Sequence, residues 1–138
     1  MEPSQRSAFI EHVRQLLGGI PDGEAIVMIN LLRYRERAVY DADAGHAPCS
    51  GEEAYRRYLA AATPFVLDVG GSVVWQGTPR ATVLGPPAER WDLALLVRYP
   101  STAAFLAMVS NPGYQAIAIH RTAALEDSRL IATLPATP

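Results

Sequence analysis

The chain contains no lysine, and all twelve of its basic residues are arginine. A genome biased toward arginine codons is the simpler explanation, but the absence still limits the chemistry available to the side chains. Schiff-base catalysis, including that of pyridoxal-phosphate enzymes, needs a lysine amine to form the imine. The sequence therefore excludes pyridoxal-phosphate enzymes and Schiff-base aldolases.

The chain also has a single cysteine, a small net charge and no long apolar run. Cys49 is the only cysteine, so no disulfide can form within the chain. The net charge is −2 and there is no basic run, which disfavours nucleic-acid binding. No apolar stretch reaches the length of a membrane span, and residues 1–7 lack the apolar region of a signal peptide. We therefore expect a cytoplasmic protein that binds neither nucleic acid nor membrane.

The motifs of several common catalytic sites are missing as well. There is no Gly-rich loop of Walker or Rossmann type and no Gly-x-Ser-x-Gly nucleophile elbow. No pair of carboxylates has a spacing that calls for acid–base catalysis. We accordingly expect no organic cofactor.

Hydrophobic patterning divides the chain into strand, helix, strand, strand, helix, strand, preceded by one further helix. The predicted elements are a helix over 4–17, a strand over 25–34, a helix from 50 to about 69, strands over 72–77 and 91–99, helical pieces over 101–109 and 114–125, and a strand over 129–134. We also expect the strand at 72–77 to continue, after a bend, through residues 81–85.

This order predicts an α+β, ferredoxin-like βαββαβ fold with a four-stranded antiparallel sheet and both helices on one face. We expect residues 25–34 and 91–99 to be the central strands, adjacent and parallel to each other. The whole chain, 1–138, is predicted to be one domain, with an N-terminal helical extension over 1–23 and the core over 24–134.

Both predicted central strands are apolar on both faces, although helices can cover only one face of the sheet. In the first, Val27, Ile29 and Leu31 alternate with Ile26, Met28 and Leu32. An exposed apolar face of this extent implies burial against another subunit. We therefore predict a homodimer in which two sheets pack face to face.

Four stretches carry a family resemblance: IVMINLLRYRERAVY, SGEEAYRRY, GGSVVWQG and the block that begins WDLALLVRY and ends EDSRLI. They resemble the family called domain of unknown function 1330, which looks like a branch of the dimeric α+β barrel superfamily. The resemblance spans residues 24–134. The superfamily includes cofactor-free and heme-dependent enzymes as well as ligand-binding regulatory domains. The resemblance thus implies a ligand cleft between sheet and helices, but it transfers no catalytic residue.

Several polar and aromatic residues are candidates for binding a ligand in that cleft. Asn30 interrupts an apolar strand and either orients a ligand or bonds to loop backbone or to a neighbouring side chain. Arg98 could meet Asn30 across the strand pair and bind a carboxylate, or it could pair with an acid such as Glu52 or Asp92. Tyr55 and Tyr58 fall on the buried stripe of their helix, where they could contact an aromatic ligand or simply fill the core. Trp75 could line the cleft or the dimer interface.

His120 is the candidate catalytic residue, since its pKa near neutrality suits a general acid or base. A histidine at the surface or the edge of the core is the alternative. His46 and Cys49 share the long loop at 35–49 with a spacing compatible with a metal, but no second cluster completes a tetrahedral site, so we expect no metal.

Two classes of function follow. One is a small-molecule enzyme without an organic cofactor, such as a monooxygenase, isomerase or cyclase, in which His120 moves the proton. The other is a non-catalytic ligand-binding or stress-related dimer that uses the same cleft. A heme enzyme is a third alternative and needs His120 to point into a roomy cleft.

Overall fold

The computed structural model describes residues 2–136, so the outermost residues of the predicted 1–138 domain lie outside the described part. The elements are α1 (Pro3–Leu17), β1 (Ile26–Tyr34), α2 (Gly51–Asp68), β2 (Ser72–Gly77), β3 (Leu93–Tyr99), α3 (Thr102–Ser110), α4 (Pro112–Ile117), α5 (Ile119–Ala124) and β4 (Leu125–Thr133). Serine side chains begin two of the helices as N-caps: Ser50 accepts from the Glu53 amide and Ser101 from the Ala104 amide, each at 3.0 Å.

The four strands form one sheet in the order β2-β3-β1-β4, and every neighbouring pair is antiparallel. This confirms the ferredoxin-like topology and the adjacency of β1 and β3. The expectation that those two strands run parallel is wrong. The crossover through α2 makes β2 parallel to β1, and β3 folds back from β2 into the space between them, so it must oppose both.

Two predicted strand boundaries are also wrong. Residues 81–85 form no strand, and Val83 and Leu84 are 89% and 94% exposed, because the chain swings out of the sheet after Gly77. The last strand begins at Leu125 rather than at residue 129, because Leu125 pairs with Tyr34 after a register shift in β1. The helical piece predicted over 114–125 ends at Ala124, and Ala118 divides it into α4 and α5.

The core lies between the sheet and the helices. Every second residue of β1 points into it: Ile26, Met28, Asn30 and Leu32 are buried. Tyr55 of α2 and Phe105 and Met108 of α3 pack on the same side. No helix within residues 2–136 is long and apolar enough to cross a membrane.

The opposite face of the sheet carries an apolar row that crosses all four strands. The register places Trp75 beside Leu96, Leu96 beside Ile29, and Ile29 beside Ile131. At the two ends of this row, Trp75 is 54% exposed and Ile131 is 47% exposed. We call Trp75, Leu96, Ile29 and Ile131 the open-face row.

The start of α2 is fixed at a point where three chain segments touch. The Gly51 amide donates to the Arg35 carbonyl at 3.1 Å, and the Arg35 amide donates to the Ala124 carbonyl at 2.8 Å. A Cβ atom on Gly51 would overlap the Arg35 carbonyl oxygen and would come within 2.7 Å of the Ala124 carbonyl oxygen. We call Arg35, Gly51 and Ala124 the backbone junction. Only glycine fits at its centre, because the atoms that crowd the site are main-chain atoms that cannot rotate away.

Gly51→Ala should therefore destabilise the protein by about 1–3 kcal/mol, the usual cost of forcing extra atoms into packed structure. Urea denaturation followed by circular dichroism measures the change. Gly19→Ala is the matched control, since an added Cβ there meets nothing within 4 Å. Equal stability of the two variants would show that the junction can open without cost.

Candidate functional site

Two open grooves meet at Tyr34, the last residue of β1. The first, which we call the polar groove, has a volume of about 690 Å³ and is lined by Tyr34, Arg35, Glu36, Arg37, Ser50, Glu52, Arg90, Asp92 and Glu126. The second, which we call the aromatic groove, has a volume of about 380 Å³ and is lined by Tyr34, Glu52, Tyr55, Arg56, Leu59, Gln76, Gly77, Thr78 and Leu93. Both volumes fall in the range of roughly 300–1,000 Å³ that is common for ligand pockets.

Tyr34 is held between the grooves by its own main chain. Its amide donates to the Asp92 carboxylate at 2.8 Å, which ties the end of β1 to the segment entering β3. Burial, followed by the nearby charges of Glu52 and Asp92, raises the pKa of the Tyr34 phenol. The phenol is therefore neutral at physiological pH and can both donate and accept a hydrogen bond.

Tyr55 forms the inner wall of the aromatic groove, as its place on the buried stripe of α2 predicts. It is 2% exposed, and its ring centroid lies 5.7 Å from that of Tyr34 and 5.4 Å from that of Tyr58. Burial raises the pKa of the Tyr55 phenol above its ordinary value. Tyr55 thus adds a buried aromatic ring behind the groove, and Tyr34 supplies the neutral phenol at its surface.

Tyr58 lies behind Tyr55 and lines neither groove. Its hydroxyl lies 2.6 Å from the hydroxyl of Tyr114, and burial followed by Tyr114 raises its pKa well above the ordinary value. This bond satisfies both buried hydroxyls within the protein, so Tyr58 supports Tyr55 from behind.

Asn30 faces the helices and is 7% exposed, but it lines neither groove. Its amide nitrogen lies 3.4 Å from the Met28 carbonyl oxygen and 3.5 Å from the Leu95 carbonyl oxygen. Both acceptors are main-chain atoms of β1 and β3, whereas the structural alternative expected loop backbone or a neighbouring side chain. Its role in ligand binding stays a prediction.

Arg98 and Trp75 lie on the other face of the sheet, away from Asn30. The register sets Asn30 opposite Leu95, whereas Arg98 lies opposite Val27. The prediction that Arg98 meets Asn30 is therefore wrong, because the antiparallel register places the two side chains on opposite faces of the sheet. Within residues 2–136, no carboxylate lies within ion-pair distance of the exposed Arg98 side chain, so the predicted pairing with Glu52 or Asp92 does not form.

His120 belongs to a separate cluster on the outer side of the helices. The Tyr40 hydroxyl lies 2.7 Å from its Nδ1 atom, and the His46 ring lies 4.6 Å from Tyr40 and 4.9 Å from His120. Burial, followed by His46 and Arg57, lowers the pKa of His120. The Nδ1 atom of neutral His120 can accept a hydrogen bond from the Tyr40 hydroxyl, and this contact joins the long loop to α5.

The cluster brings together two histidine rings, His46 and His120, and the phenol of Tyr40. Within the described part of the chain, no group of three or more histidine, cysteine or acidic side chains is placed to hold a metal ion. His120 lines neither groove and faces Tyr40 and His46, so it does not point into a roomy cleft as a heme ligand must.

Sequence reasoning missed Tyr34, Tyr40 and Arg35. Tyr34 and Arg35 stand at the end of a strand within a charged run, where nothing in the pattern separates them from solvated residues. Tyr40 lies eighty positions from His120, and only the packing of the loop on α5 brings the two together.

The sheet topology, with the strand order β2-β3-β1-β4 and helices on one face, is that of a ferredoxin-like α+β fold. The chain belongs to the family described as Domain of unknown function (DUF1330), whose sequence profile matches residues 45–133. No curated protein matches the chain.

Three solved structures resemble the fold over most of their length. The RPA0582 protein of unknown function from Rhodopseudomonas palustris is 38% identical with a TM-score of 0.83, over 93% of this chain and 95% of that one. A dabb family protein with a ferredoxin-like fold from Mesorhizobium loti is 14% identical with a TM-score of 0.52, over 82% and 98%. A dimeric protein of unknown function with a ferredoxin-like fold from Bacteroides fragilis is 12% identical with a TM-score of 0.50, over 83% and 99%. The last two likenesses concern the fold alone.

The lowered pKa of His120 predicts that stability falls as the pH drops from 7.5 to 5.5. The unfolded chain protonates this histidine near the ordinary value of 6.5, whereas the folded chain resists protonation until a lower pH. The unfolded state therefore binds more protons across this window, and the loss levels off below the folded-state pKa. Urea denaturation at several pH values should show this decline, and His120→Asn should make it shallower. An unchanged slope in the variant would contradict the assignment to His120.

Proposed function

We propose that the protein is a homodimer that binds a small organic molecule in the aromatic groove. The observation that carries this proposal is the groove itself, a space of about 380 Å³ lined by the neutral phenol of Tyr34, the ring of Tyr55 and the aliphatic side chains of Leu59 and Leu93. Flat apolar surface with a few oriented hydroxyl groups suits an aromatic or similarly flat ligand.

The homodimer is supported by the open-face row. An apolar stripe that crosses four strands and is half exposed at both ends favours association with an identical stripe. The fold neighbour from Bacteroides fragilis is itself described as dimeric. Arg98 and Trp75 then belong to the dimer interface rather than to the ligand site.

A catalytic role for His120 is the second candidate, and the 2.7 Å contact with Tyr40 favours it, since a phenol–imidazole pair can relay a proton. The cluster is separate from both grooves, so a substrate in the aromatic groove would not reach it. Binding without an organic cofactor is accordingly the function that we put first. If His120 is catalytic, His120→Ala abolishes turnover of a bound ligand and leaves its affinity almost unchanged.

A thermal-shift screen with small carboxylic acids, phenols, quinones, lactones and hemin tests ligand binding. A ligand at about 100 times its dissociation constant stabilises the folded state by about 2.7 kcal/mol, which raises Tm by several degrees. Thr78→Trp should abolish the shift, because Thr78 is an exposed residue at the mouth of the aromatic groove that a large ring would fill. Thr63→Trp, at an exposed site outside both grooves, is the matched control. Equal shifts in the two variants would place the ligand elsewhere.

Light scattering at micromolar concentration tests the homodimer. The wild-type protein should have twice the 14.9 kDa mass of one chain. Ile131→Glu places a charge in the open-face row and should give the monomer, whereas Leu84→Glu changes a 94% exposed loop residue and should leave the dimer intact. A wild-type mass of one chain would rule out the sheet-on-sheet dimer.

A further inference from the structure

The polar groove contains three arginines that have no acidic partner. Arg35 and Arg37 come from the segment after β1, and Arg90 comes from the segment before β3. Over residues 2–136, none of the three forms an ion pair or a side-chain hydrogen bond. Their positive charges are therefore free to interact with a solute.

The carboxylates that line the same groove are mostly bound to other groups. Glu52 pairs with Arg56 at 3.1 Å, and Glu126 lies 3.5 Å from Arg33. Asp92 accepts the Tyr34 amide. These contacts explain why the acids do not neutralise the three arginines, although the acids still surround them with negative charge.

Arg35 differs from the other two because part of its side chain is buried. Its Nε atom is inaccessible to solvent and has no hydrogen-bond partner. Burial of Nε holds the guanidinium in place, whereas its two terminal nitrogens are not buried and have no hydrogen-bond partner among the described residues at the wall of the polar groove. Arg33 also has a buried Nε atom without a hydrogen bond, but the Glu126 carboxylate lies within ion-pair distance of that atom. Arg35 has no such neighbour.

We infer that Arg35 anchors the carboxylate of a flat organic acid whose ring lies in the aromatic groove. This inference rests on the proposed function, because it assigns the ligand class of the same site. The two grooves share Tyr34 and Glu52, so one molecule can extend from one groove into the other. The two terminal nitrogens of a guanidinium can hold a carboxylate end-on through two parallel hydrogen bonds.

A carboxylate fits this site better than a phosphate does. Four acidic residues, Glu36, Glu52, Asp92 and Glu126, line the polar groove. Their repulsion grows with the charge of the ligand, so a monoanion is favoured over a dianion. The planar carboxylate also matches the fork of a single arginine.

Calorimetric titration of the purified full chain with benzoate and with benzamide tests the inference, because the two probes share a ring and differ in charge. The wild-type protein should bind benzoate at least tenfold more tightly. Arg35→Gln should abolish this preference and leave benzamide affinity within twofold, and Arg35→Lys should retain only part of the preference. Arg80→Gln, at an exposed position outside both grooves, should bind both probes as the wild type does.

The outcomes separate this inference from the function on which it rests. Equal wild-type affinities for benzoate and benzamide would overturn the carboxylate anchor and leave the aromatic groove as a binding site. An undiminished preference in Arg35→Gln would also overturn it. Tighter binding of inorganic phosphate than of benzoate would overturn the choice of a carboxylate. If neither aromatic probe binds the wild-type protein, this inference fails, and the proposed function fails with it only when the thermal-shift panel also gives no ligand.

Discussion

The arrangement of this protein depends on the backbone junction of Arg35, Gly51 and Ala124. Two main-chain hydrogen bonds, of 2.8 Å and 3.1 Å, join the end of β1 to the end of α5 and to the start of α2. Because both helical crossovers of the fold end or begin there, the junction sets how the helices lie on the sheet. It also fixes the chain direction on either side of Arg35, and so it places Tyr34 and Arg37 beside the grooves. A missing Cβ atom at Gly51 is what allows the three segments to approach.

The alternation of side chains along the sheet then separates two surfaces. Even-numbered residues of β1, such as Met28 and Asn30, face the helices, whereas Ile29 and its neighbours in the open-face row face away. A change of register by one residue would exchange the two sets. Packing of large side chains such as Tyr55 against the helix side opposes that change. The same geometry that buries Asn30 therefore leaves Trp75 and Ile131 exposed on the face proposed for dimerisation.

The arginines near the end of β1 also fall into two groups, those with an acidic partner and those without one. The guanidinium carbons of Arg33 and Arg129 lie 5.7 Å and 5.1 Å from the centroid of the Trp91 ring, and the Asp127 carboxylate forms ion pairs with both arginines. The hydrogen bond from Arg129 lowers the pKa of Asp127. A hydrogen bond from the Ser128 amide and the charge of Arg33 lower it further. These exposed pairs contribute little free energy individually. Their effect is to occupy Arg33 and Asp127, so that the free positive charge of the region falls on Arg35 and its two neighbours in the polar groove.

Sequence reasoning succeeded where a pattern has a single physical meaning and failed where two segments distant in the chain must meet. The period of β1, the serine that caps α2 and the apolar second face of the sheet follow from local chemistry, and they predict the fold and the open face. The pairing of Asn30 with Arg98 failed because it needs the register of two strands, which parity within either strand does not determine. Tyr40 reaches His120 through a loop of irregular backbone, and Arg35 differs from Arg37 only in the burial of one nitrogen atom. Such distinctions arise from tertiary packing, so a sequence with twelve arginines cannot reveal which guanidinium lacks a partner. Three arginines of the polar groove lack an acidic partner within residues 2–136, and partial burial is what separates Arg35 from Arg37 and Arg90.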